Sequence, residues 1–113
     1  MSTSGAIKRI YVCHPFGDDP EVNAAKVRAI CRALVAEGHL PIAPQLYLPA
    51  FVDEKNGREL ALRLCIELVA CCDALWFYGT RISAGMEREL AAAHALGIPV
   101  VNRLFPSAPE LAS

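Results

Sequence analysis

No apolar run in this chain approaches the roughly 20 residues that cross a bilayer, and its first residues lack the charged segment and apolar stretch of a secretory leader. A membrane span is therefore not expected, and the expected compartment is the cytoplasm. Charge of one sign is also missing: 11 basic and 12 acidic side chains, net −1, are spread along 113 residues. That leaves no basic footprint for a nucleic acid polymer, and a small-molecule ligand fits the balance better. Internal repeats and low-complexity tracts are absent. The five cysteines, Cys13, Cys31, Cys65, Cys71 and Cys72, are odd in number, and the adjacent Cys71-Cys72 has no matching second pair at ligand spacing. No metal site is expected, nor any organic cofactor, and the thiols should be mostly buried and reduced.

What the chain has in quantity is apolar side chains, 54% of residues, with a mean hydropathy of +0.31. Disorder is excluded, and one domain over residues 1–113 with a single core is expected. Apolar surface is left over for a partner subunit, so a homodimer or homotetramer is expected.

Residues 7–13 form a β-rich apolar run, followed by the turn-rich His14-Pro15-Phe16-Gly17-Asp18-Asp19-Pro20. Pro20 or Glu21 opens a helix with Val22, Ala25, Ala29 and Leu34 inward and Lys26, Arg28 and Arg32 toward water, ending at Glu37-Gly38-His39. Residues 40–43 are a second strand, whose Pro41 suits an edge. Residues 44–57 read as a long connection, either a flap or a subunit contact. A second helix is expected over 58–72, with Leu60, Leu64, Leu68 and Cys71 or Cys72 on one side. A buried strand over 73–79, a helix capped by Ser83, and a strand over 98–102 complete the order. Strand and helix alternate throughout, the pattern of an α/β, Rossmann-like three-layer sandwich with a four- or five-stranded parallel sheet.

Ligands in such sheets bind beyond the carboxyl ends of the strands. The loops after the first three strands should therefore converge, bringing together Tyr11, His14, Phe16, Asp18, Gln45, Ser83, Gly85 and Glu89. In the third helix, Met86, Leu90, Ala93 and Gly97 make a stripe toward the sheet; Glu89 stands at its edge and Glu87 in water. A partly buried carboxylate with no obvious cation beside it points to function. The alternative is that both glutamates merely complement the helix dipole. Asp73 suits a turn or cap, and Trp76 and Phe77 suit the core.

Three segments carry a resemblance over residues 7–102: Ile10-Tyr11-Val12-Cys13-His14-Pro15-Phe16, Cys72-Asp73-Ala74-Leu75-Trp76, and Ser83-x-Gly85-Met86-x-x-Glu89 with Ala93 and Gly97-Ile98-Pro99-Val100. They resemble the nucleoside 2-deoxyribosyltransferase-like proteins of the SLOG group, in particular their small phage and bacterial relatives. The resemblance implies an N-glycosidase or deoxyribosyltransferase acting on a nucleoside or nucleotide. Glu89 would be the nucleophile at the anomeric carbon, Tyr11 its orienter, and Ser83 and Gly85 the contacts to a ribose hydroxyl or 5′-phosphate. It also implies sites shared between subunits. Two positions depart from the pattern: Cys65 stands where the family commonly has an aspartate that handles the leaving base, and His14 replaces a small residue. His14 either takes over proton transfer or caps its loop. The alternative function is a non-catalytic protein that senses or sequesters a nucleotide-derived ligand.

Overall fold

The structure, a computed structural model, describes residues 6–17, 19–79 and 81–104. Four strands, β1 (Arg9–Cys13), β2 (Leu40–Ile42), β3 (Ala74–Gly79) and β4 (Val100–Leu104), form one parallel sheet in the order β2-β1-β3-β4. Helix α1 (Pro20–Ala36) joins β1 to β2, α2 (Glu54–Ala70) joins β2 to β3, and α3 (Ala84–Leu96) joins β3 to β4. The chain moves outward from β1 to β2, then crosses back over β1 to β3. That reversal puts the topological switch point between β1 and β3.

Side chains of a strand alternate between faces. Ile10 and Val12 of β1 pack with Val27 and Leu34 of α1, whereas Tyr11 and Cys13 pack on the other face with Val69 of α2 and Met86 and Ala93 of α3. The result is the three-layer α/β sandwich expected from the pattern. Three of its helices carry side-chain N-caps. Asp19 accepts the Val22 N–H at 3.4 Å, Asp53 accepts that of Lys55 at 3.1 Å, and Ser83 accepts that of Met86 at 3.2 Å.

Several boundaries and faces differ from the sequence reading. In α1 the buried stripe is Asn23, Val27 and Leu34 with Ile30 beside it, while Val22, Ala25 and Ala29 face water. Alanines bury little area, so Val27 and Ile30 set the phase, and Asn23 joins them because its amide donates to the Phe16 carbonyl at 3.3 Å. The connection after β2 is not structureless. It makes two 3-10 turns, Pro44–Leu46 and Leu48–Ala50, and α2 begins at Glu54, ahead of Gly57. A Cβ at Gly57 would stand 2.5 Å from Val52 Cγ1, so the glycine makes room for the chain that turns into the helix. Leu60 is exposed, and Val69 is the buried anchor of α2. Strand β4 starts at Val100, and the expected stripe residue Gly97 is instead the exposed left-handed cap of α3, with φ +73°.

Asp73 ties strand entrances together. It accepts the Arg9 backbone N–H at 2.7 Å, with the Arg9 side chain 3.7 Å away. Phe77 is in the core, and Trp76 is partly buried between His39, at 5.5 Å in an edge arrangement, and the Arg103 guanidinium, 4.7 Å from its ring centre. All five cysteines are unpaired; Cys13 and Cys72 are buried, Cys31 and Cys65 partly so, and Cys71 is exposed. No helix among the described residues is long and apolar enough to cross a membrane.

Candidate functional site

Tyr11 and Cys13 are two residues apart on β1, so strand alternation sends both toward α3. Glu89 meets them from the second turn of that helix. The Tyr11 hydroxyl donates to Glu89 Oε2 at 2.8 Å, and the Cys13 thiol donates to Oε1 at 3.1 Å. Cys65, on α2, adjoins both Tyr11 and Glu89. The neighbouring Arg88 turns away, its guanidinium gripping Glu59 of α2 at 2.8 and 3.1 Å. Glu89 is thus surrounded by neutral donors.

Burial raises the Glu89 carboxyl above the usual carboxylate range, opposed by the hydrogen bonds from Tyr11, Cys13 and Cys65 that favour the anion. The donors are pushed the other way from reactivity. Burial, then the charge of Glu89, drives Tyr11 and Cys13 well up, and burial takes Cys65 to about 11. At neutral pH all three keep their protons.

Tyr11, Cys65 and Glu89 of this cluster form one wall of a cavity of about 230 Å³ at the carboxyl ends of β1 and β3, while Cys13 stands behind them in the core. Of the residues expected at the mouth, Tyr11, His14, Phe16, Gln45, Ser83, Gly85 and Glu89 all line it. Asp18 lies outside the described residues. Arg58 and Arg81 also face the cavity, and Leu48, Pro49 and Val52 close it on the side of the 3-10 turns. The volume is below the 300–1,000 Å³ usual for drug-sized ligands, so a single small molecule is the scale of occupant.

His14 and Gln45 spend donors on the loop itself. Nδ1 of His14 lies 2.8 Å from the Pro15 carbonyl, and the Gln45 amide donates to the same oxygen at 3.3 Å. A carbonyl only accepts, so Nδ1 carries the proton in this bond. Gly79, at the end of β3 with φ +107°, lets the loop pass: a Cβ there would stand 2.9 Å from Pro15 Cδ. Gly85 is different. A Cβ would meet Leu62 and Arg58 only at ordinary contact distances of 3.5 and 3.9 Å, so its neighbours do not demand glycine.

Ser83 opens α3, and Ser83, Gly85 and Met86 of that first turn line the cavity, which therefore borders the positive end of the helix dipole. Among the described residues, no three His, Cys, Asp or Glu side chains are grouped to hold a metal ion. The sequence reading passed over Cys13 and Arg58. Cys13 carried a signal, its position two residues after Tyr11 on a strand; Arg58, read as the start of a helix, carried none.

A sequence model of a domain of unknown function, DUF7768, matches residues 8–103. No curated protein matches the chain. Among solved structures, it is similar to a 2-deoxyribosyltransferase from the psychrotolerant bacterium Bacillus psychrosaccharolyticus, described as a biocatalyst for synthesis of antiviral and antitumoral nucleosides. The TM-score is 0.64 and the identity 23%, over 85% of this chain and 72% of the other. The likeness is one of fold.

Proposed function

The chain belongs to the DUF7768 family, a family described only by its unknown function, and we propose that its cavity takes a nucleoside or nucleotide and cleaves or exchanges the N-glycosidic bond. The observation that carries this reading is Glu89, a partly buried carboxylate held by neutral donors on the wall of a small cavity. An oxocarbenium-like centre is stabilised by a carboxylate placed close to it. Glu89 attacks the anomeric carbon; the bond to the base breaks, its electron pair leaves with the base, and the base takes up a proton. Water or a second base then opens the glycosyl ester. Tyr11 orients the carboxylate. Ser83 and Gly85 receive a ribose hydroxyl or 5′-phosphate, and Phe16, His14 and Gln45 border the ligand. The fold shared with a 2-deoxyribosyltransferase supports the substrate class.

A binding role without chemistry is the second reading. Cys65 favours it, since a thiol held at about 11 is a poor acid for a departing base. The assembly that goes with either reading is a homodimer or homotetramer in the cytoplasm.

Incubation of wild type and Glu89→Ala with nucleosides and 5′-mononucleotides, with free base followed by chromatography and thermal shifts recorded in parallel, separates the readings. We expect base release by wild type and at least a hundredfold less by the variant, the order lost with a key catalytic group. Stabilisation without release makes this a binding protein. Neither signal overturns the nucleotide reading.

A further inference from the structure

We propose that Cys13 is a second positioning residue for Glu89, fixing the carboxylate oxygen that Tyr11 does not hold. The inference rests on the proposed role of Glu89, but its test does not need a substrate.

A carboxylate held through one oxygen can still swing about its Cγ–Cδ bond. Here each oxygen has its own donor from the same strand face, Tyr11 Oη on Oε2 at 2.8 Å and Cys13 Sγ on Oε1 at 3.1 Å. Two fixed points on a planar group leave no such rotation. The backbone that carries both donors is held on either side, because β1 lies between β2 and β3, with Tyr11 paired to Ile42 and Leu75 and Cys13 paired to Phe77. Cys13 is 1% exposed, so its thiol does not exchange this partner for water.

The two donors are unequal. A phenol is a strong donor and a thiol a weak one, and Cys65 of α2 adds a third hydrogen bond to the carboxylate. A serine hydroxyl at position 13 would hold Oε1 harder, while alanine would release it. Cysteine is the intermediate choice, fixing orientation without quenching the nucleophile.

The experiment is the titration of Glu89 by carboxyl carbon NMR in wild type, Cys13→Ser and Cys13→Ala, without ligand. A donor favours the anion in proportion to its strength, so the midpoints are expected in the order Ser lowest, wild type between, Ala highest. Cys72→Ser serves as control, because that buried thiol donates to the Leu68 carbonyl and not to the site; it should leave the Glu89 midpoint unmoved. A merely structural thiol would shift melting temperature without ordering the midpoints. Coincident midpoints in the three proteins, or a rise in Cys13→Ser, overturn the proposal. Should Cys13→Ala fail to fold, the fall in Cys13→Ser alone decides it. Where base release is observed, Cys13→Ser should lower kcat with KM little changed; loss of base release in every protein including wild type would sink the catalytic reading of Glu89 and leave the positioning result standing.

Discussion

Glu89 is held away from water by the same packing that holds Tyr11 and Cys13, and its proton binds more tightly in the folded protein than in the unfolded chain. Stability therefore falls as pH rises from the ordinary carboxylate range through the raised value of Glu89, and stays lower above it. Removing the charge while keeping the shape should recover that loss. Glu89→Gln is expected to melt higher than wild type at pH 8, with the advantage vanishing below about pH 4, where an ordinary carboxylate is also protonated. Calorimetry across that range checks it; a variant that melts lower at pH 8 would mean that the anion's hydrogen bonds outweigh its burial. The inward direction of Glu89 was legible in the sequence because Met86, Leu90 and Ala93 fix the phase of α3. Its partner Cys13 showed only in its place two residues after Tyr11, since a cysteine in an apolar strand reads as core and the crossing of α3 over β1 turns it into a donor.

Elements were legible where side chains of unlike size or polarity alternate. β1, β3 and the capped start of α3 came through because Ser83, Met86 and the buried strands leave one arrangement. The start of α2 did not, because Gly57 has a packing purpose against Val52 that no local rule reports. Nor did the face of α1, where Leu34 was inward as expected but alanine periodicity competed with Val27 and Ile30, and a buried Asn23 was needed to complete the stripe. The end of β3 offers a direct test of such hidden packing. Gly79→Ala meets both an unfavourable φ and the ring of Pro15, and should cost about 1–3 kcal/mol in urea unfolding. An unchanged midpoint would show that the His14 loop can move aside freely.

At the scale of the molecule, alternation of strands and helices made the parallel sandwich legible, and with it the convergence of the loops on one cavity. The composition left one further expectation, self-association. Phe51 is 76% exposed and Ile7 69%. Sedimentation velocity should show a species of two or four times the 12.2 kDa chain; a single species at the chain mass would refute the homodimer and homotetramer alike.

The two margins of the sheet are not equivalent. In β2 the Leu40 N–H turns inward to the Lys8 carbonyl, so by alternation the next backbone nitrogen faces outward, and it belongs to Pro41, which has no hydrogen to give. That margin cannot seed another strand. β4, five residues long and free of proline, is the margin that can. A ribbon that lengthens indefinitely needs an acceptor at both ends, and among the described residues this sheet has one. Joining two copies through β4 would consume the open margin of each, so strand addition through that margin would end at a pair.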